Sequence, residues 1–177
     1  MTNHRSRFSK CTSFYLLISV ILLYSIALSQ KTSCSELNLV SGLSSLDKKY
    51  MEAQKSLVDE LARSMGQSFN GDLDHDIELL QLLLDSKKIK NDMTPELQAM
   101  GYVLGDLLAN ELDMHWVIYK DYLGRSRALR YKSSNNFLFP VTMISRRREV
   151  NNLTSVAKIF DKAFDSISPL RDPLPFQ

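Results

Sequence analysis

The sequence predicts an α+β domain: a helical N-terminal half, a three-stranded antiparallel β-meander, and a C-terminal helix that covers one sheet face. Three observations carry this. Apolar residues recur mostly at helical spacing from Leu43 to Leu112, the period changes to two after Met114, and helical spacing returns between Leu153 and Ile167.

The first helix is expected over Leu43 to Met65, where Leu43, Leu46, Tyr50, Leu57, Leu61 and Met65 share a face, with Lys48, Lys49, Glu52, Lys55 and Asp59 between them. Asn70-Gly71 is a turn signal, and Asp76 is placed to cap a short helix over the stretch IELLQLLLDS. A third helix should start where Thr94 caps and Pro95 takes the first turn, and run to Leu112. Gly101, Gly105 and Ala109 form a second stripe at spacing four on it, small enough for another element to approach closely.

After Met114 the stretches HWVIYKD and SRALRYK alternate, and DYLGR between them has hairpin length, with Gly124 available for positive φ. NFLFPVTMIS supplies the expected third strand. Pro140 cannot donate to a ladder, so that strand belongs at a sheet edge, with Arg146, Arg147 and Arg148 marking where it leaves the sheet. The last helix places Val156, Ile159, Phe160, Ala163, Phe164 and Ile167 on one face, and Pro169, Pro173 and Pro175 end it.

The N-terminus has a basic lead of Arg5, Arg7 and Lys10, an apolar run from Phe14 to Leu28, and small residues before Gln30. This is a secretory signal by its three-part grammar, with cleavage expected after Ser29. The run falls short of the ~20 residues of a comfortable membrane span, which favours cleavage over anchoring; an uncleaved inner-membrane anchor is the alternative. The division expected is therefore a signal over 1–29, a flexible lead over 30–41, one α+β domain over 42–168, and a Pro-rich tail over 169–177. Cys11 leaves with the signal and Cys34 then stands alone, with no intramolecular disulfide partner.

Charge is uneven along the chain. Gln30 to Asp113 carries 8 basic and 15 acidic residues, whereas Met114 to Gln177 carries 11 basic and 5 acidic. The basic half can lie against the acidic helices, or it can take an anion. Nucleic acid is not expected as that anion, because the chain reads as exported and holds no nucleic-acid motif.

Chemistry-bearing motifs are scarce. The run NGDLDHDIE has aspartates at alternate positions, but counted from Asp72 the sixth and twelfth positions are Ile77 and Leu83, where a calcium loop needs Gly and Glu. His75 and His115 lack ligand-spaced companions, and no G-x-S-x-G occurs. No catalytic residue, metal site or cofactor is therefore assigned. Arg125, Arg127, Arg130 and Lys132 lie on one strand and Arg146 follows the next, so a meander could bring them together, with Trp116, Tyr119 and Tyr131 as flat contacts. The candidate binding residues are Arg127, Arg130, Tyr131, Arg146 and Trp116. Against this, Arg127 and Arg130 should point to opposite faces and pair with the acidic helices.

The motifs ELLQLLLDS, TPELQAMGYVLGDLLANEL, MHWVIYKDYLGRSRALRY and LFPVTMISRR, in this order, resemble the bacterial domain-of-unknown-function family 3806 over nearly all of the chain beyond the signal. The positions that align best include Gly101, Gly105, Asp106, Trp116, Asp121, Arg125, Arg130, Tyr131 and Pro140. The resemblance implies a bacterial source and a small α+β domain, and it implies no activity.

Three functions are expected in order. The first is a non-enzymatic, exported, periplasmic binding module whose partner is an envelope protein or an anionic ligand, touching membrane only through the signal if that is uncleaved. The second is an envelope hydrolase or transferase using Asp121, Asp106 or Glu111 near Trp116 and Tyr131. The third is a structural envelope protein tethered by its signal.

Overall fold

A serine three residues before an aspartate starts the first helix. In the computed structural model, which describes residues 39–170, Ser44 caps α1 (Ser45–Arg63) by accepting from the Asp47 backbone N–H, and Asp47 accepts in return from the Ser44 N–H. This capping box satisfies two donors that a helix end otherwise leaves open. The signal segment, Cys34 and most of the Pro-rich tail lie outside the described residues.

Helix α2 (Leu73–Asp85) starts four residues earlier than the sequence suggests. Asp72, not Asp76, is its cap, accepting from the His75 N–H at 2.9 Å. Asp76 is instead buried inside the first turn, where its two oxygens accept the N–H groups of Asn70 and Gly71 at 3.1 and 2.9 Å. It thus ties the incoming turn to the helix. Asp76→Ala is expected to cost about 2 kcal/mol, since the turn loses both acceptors in a buried setting; urea unfolding of the variant beside wild type measures it.

Helix α3 (Thr94–Leu112) has Pro95 in its first turn as expected, but its cap residue, Met93, offers no side-chain bond. Thr94 lies inside the helix and donates to Glu149 at 3.3 Å. Eleven of its residues are buried, so α3 is the central helix of the core rather than a surface one. Its end is set by Asp113 in the left-handed region, φ 52°.

The sheet has four strands in the order β1-β2-β3-β4, every neighbour antiparallel. Strands β2 (Met114–Asp121) and β3 (Gly124–Tyr131) form the predicted hairpin, with Gly124 at φ 131°. Strand β1 (Leu39–Gly42) falls where a flexible lead is expected, and pairs with β2 from Leu39↔Lys120 to Gly42↔Val117. Four residues without hydrophobic alternation give no strand signal of their own; the open edge of β2 recruits them.

Strand β4 is only Phe137–Leu138. The expected longer strand through Pro140 does not form. Pro140 begins a 3-10 turn, Pro140–Thr142, and the arginine run lies in a short helix, α4 (Ser145–Glu149), beyond the sheet. The ladder ends at Leu138, two residues before Pro140 with its missing N–H, so β4 is an edge strand, though a truncated one.

Helix α5 (Val156–Ile167) is capped by Ser155 and packs chiefly on α2 and α3. It does not cover the sheet, as the sequence suggests; α3 does, through its contacts with β2 and β3. Leu80, Leu83, Leu97, Met100, Leu104 and Leu108 fill the space between these helices. Pro169 sits in a closing 3-10 turn, Ser168–Leu170. No helix among the described residues is long and apolar enough to cross a membrane.

The stripe of small residues on α3 acts in packing. A Cβ on Gly101 would stand 2.6 Å from both the Val141 Cα and its carbonyl oxygen, and one on Gly105 would overlap the Trp116 ring. The 3-10 turn therefore lies directly on α3. This contact fixes the path of the chain that leads from the sheet to Arg146.

Candidate functional site: an arginine cavity beside a buried aspartate

Alternation along β3 sends Arg125 and Arg127 to one face of the sheet and Arg130 to the other. On the first face they meet the start of α1. Arg125 Nη2 lies 2.7 Å from both carboxylate oxygens of Asp47, and Arg127 Nη2 donates to Asp47 Oδ1 at 2.9 Å. The Asp47 side chain is 4% exposed. The Arg125 guanidinium, and after it the Ser44 hydroxyl at 2.6 Å, hold the Asp47 carboxyl far below the usual carboxylate range, against the opposing effect of burial.

Arg127 is held on several sides. Its guanidinium carbon lies 4.4 Å from the centroid of the Tyr50 ring, and Nη1 donates to the Tyr102 hydroxyl at 3.4 Å. Its Nε is buried and has no acceptor among the described residues. Burial pushes the Tyr102 phenol up, and the neighbouring Arg127 charge only partly offsets this. Tyr102 stacks edge-on with Tyr50 at 6.2 Å and lies 5.8 Å from Trp116, making an aromatic wall behind the arginine.

In front of this wall is a cavity of about 590 Å³, which Arg125, Arg127, Arg146 and Asp121 line together with tyrosines and Val141 and Thr142 of the 3-10 turn. Arg146 reaches it from α4. In a helix successive residues diverge by about 100°, and the arginine run separates accordingly: Arg146 is exposed at the cavity, Arg147 donates to the Met143 carbonyl, and Arg148 is buried. Arg146 makes no ion pair or hydrogen bond among the described residues. Asp121 Oδ1 accepts the N–H groups of Leu123 and Gly124 at 2.9 and 3.1 Å, which holds its carboxylate at the hairpin end of the cavity.

Of the sequence-predicted binding residues, Arg127 and Arg146 share this cavity. Arg130 does not. Its Nε and Nη2 donate to the carbonyls of Ser134 and Ser133 at 2.7 and 2.8 Å, closing the loop after β3. The expected divergence of Arg127 and Arg130 holds, and the expected partner from the acidic helices exists for Arg127 alone. Tyr131 is buried in the core, 6% exposed, and is a packing residue. Trp116 stands behind the cavity, with Nε1 donating to Asp106 at 2.8 Å. Asp47, Tyr50, Tyr102 and Arg125 complete the site. The pattern Ser44-x-x-Asp47 signals a capping box, but the long-range pairing of Asp47 with β3 has no local sequence signal.

The carboxylates that a hydrolase or transferase would use do not meet. Asp121 lines the arginine cavity, Asp106 lines a separate one of about 430 Å³ between α1 and α3, and Glu111 is exposed and lines neither. Asp106 is bound to Lys55 at 2.7 Å, and Glu52 to the same ammonium at 2.9 Å. Burial by itself would lower the Lys55 pKa; the two carboxylates outweigh it and raise the value.

An α+β domain with a basic, tyrosine-walled cavity at the junction of hairpin, central helix and short arginine helix is thus the class of protein that fold and site define. Residues 76–160 match the family Domain of unknown function (DUF3806). The match starts inside α2, so β1 and α1, with Asp47, lie before it. A crystal structure from Bacteroides thetaiotaomicron VPI-5482 is similar, with a TM-score of 0.66 at 18% identity, covering 77% of this chain and 51% of that one. The chain therefore spans about half the length of that protein, and the likeness is one of fold. No curated protein matches the chain.

Proposed function

We propose that this protein is a non-enzymatic binding module, exported to the bacterial cell envelope, that holds an anionic ligand in the arginine cavity. The observation that carries the proposal is Arg146: a guanidinium without a partner among the described residues, on the rim of a cavity whose other two arginines are already held in place. Guanidinium groups bind carboxylates and phosphates through charge-assisted bonds, and neighbouring groups held rigidly reduce the ordering cost of binding. The truncated edge strand β4 offers two residues for strand pairing, so the cavity, rather than the edge, supports binding.

Removing the partnerless arginine tests this. Arg146→Ala is expected to change stability by no more than about 0.5 kcal/mol, as an exposed and unpaired side chain, and to weaken the binding of small anions about tenfold or more. Thermal-shift titrations with acetate, benzoate and inorganic phosphate against both proteins make the measurement. Anion binding equal in the two proteins would place the site elsewhere.

The basic lead, apolar run and small residues before Gln30 support export. Mass determination of the protein isolated from its host's envelope fraction is expected to give a chain that starts at Gln30. An intact N-terminus would favour the anchored, structural alternative.

A further inference from the structure

We infer that the arginine cavity is matched to a singly charged carboxylate carried on a flat group, and discriminates against a doubly charged phosphate. This rests on the binding proposal above and adds a ligand class to it. Three guanidiniums, Arg125, Arg127 and Arg146, would by themselves favour the more highly charged anion. Two carboxylates oppose them. Asp47 takes three close contacts from Arg125 and Arg127, at 2.7 to 2.9 Å, and so engages the Nη2 group of each and offsets part of their charge. Asp121 stands on the cavity wall, fixed by two backbone N–H groups.

One positive group without a partner among the described residues, Arg146, remains for one anionic group on the ligand. A second negative charge in the same space would meet Asp121 without a cation to balance it, and like charges in a partly desolvated site repel strongly. The buried Arg127 Nε, without an acceptor among the described residues, is a guanidinium donor that a carboxylate oxygen reaching it would satisfy. Tyr50, Tyr102, Tyr119 and Phe139 supply the flat surfaces for the rest of the ligand. The preference thus comes from the internal counter-ions rather than from the arginines.

Benzoate and phenyl phosphate share a ring and differ in the anionic group, and at pH 8 the phosphate, with a second pKa of about 6, carries two charges. Calorimetric titration of the purified chain with each is expected to show benzoate binding about tenfold more tightly, and Asp121→Asn, which keeps a turn-capping oxygen, is expected to remove most of that ratio. Arg146→Ala should weaken both. Phenyl phosphate binding as tightly as benzoate or more tightly, with both still dependent on Arg146, would overturn the single-charge inference and leave the binding proposal standing. A ratio unchanged in Asp121→Asn would overturn the role given to Asp121. If neither probe binds, or Arg146→Ala has no effect on either, the binding proposal fails and the inference with it.

Discussion

Asp47→Ala is expected to destabilise the protein by about 3 kcal/mol, the largest loss of any single charge among the described residues. The substitution acts at three places. It opens the capping box at the start of α1, since Ser44 loses its reciprocal acceptor. It leaves Arg127, with 21% of its side chain exposed, as a largely buried cation without its carboxylate. It also frees Arg125, whose 46% exposure lets water take up part of the loss. The effect should depend on pH with a definite sign. The Asp47 carboxyl is held well below its ordinary range in the folded protein, so its contribution is complete above the unfolded carboxylate value of about 3.9 and declines as pH falls below it. The stability difference between wild type and Asp47→Ala, from urea unfolding at a series of pH values, should be flat from neutrality to about pH 5 and shrink below pH 4. A difference that stayed constant to pH 2 would show that the ion pairs contribute nothing and the cap everything.

Gly101→Ala should cost about 3 kcal/mol or more, through overpacking rather than lost contacts. A methyl group there would meet the Val141 Cα and carbonyl and the Pro140 carbonyl at 2.6 to 2.7 Å, all backbone atoms that cannot rotate away. The 3-10 turn would have to lift from α3, and Arg146 lies four residues beyond its end. The variant should therefore lose anion binding as well as stability. Ala109 on the same stripe already carries a methyl group, whereas Gly101 and Gly105 have no room for one. Thermal denaturation with and without benzoate measures both effects; a variant as stable as wild type would mean that the turn does not rest on the helix.

Local sequence signals made the helices legible, because caps, proline positions and apolar spacing act over a few residues. Pro95 marks the start of α3 and Gly124 the hairpin turn, as the physics of each residue requires. Asp76 shows the limit. A helix start and a buried turn acceptor both want an aspartate, and only the tertiary setting tells that Asp72 takes the first role and Asp76 the second. Strand β1 is invisible in the sequence for a similar reason, since its pairing energy comes from the edge of β2 and not from its own residues. The fate of Pro140 was half legible: the proline had to leave the ladder, but the tight seat for a 3-10 turn on Gly101 depends on a residue 39 positions earlier.

The candidate site follows the same division. Strand alternation predicts that Arg127 and Arg130 diverge, and they do. It could not tell that Arg125 and Arg127 would share one buried carboxylate from residue 47, nor that helix geometry would turn Arg146 alone of its run toward them. Tyr131 and Trp116 look like surface aromatics in a basic strand, yet their side of the sheet is covered by α3, which makes one a core residue and the other the backing of Tyr102.

The most direct test of the account is a titration of isotope-labelled protein with benzoate, followed by backbone amide chemical shifts. The account predicts saturable shifts confined to four segments that line one cavity: α1 around Tyr50, α3 around Gln98 to Tyr102, the β2–β3 hairpin around Tyr119 to Arg127, and the stretch from Phe139 to Arg146. Shifts that centre on Lys55 and Asp106 instead, or none at all at millimolar benzoate, would contradict it.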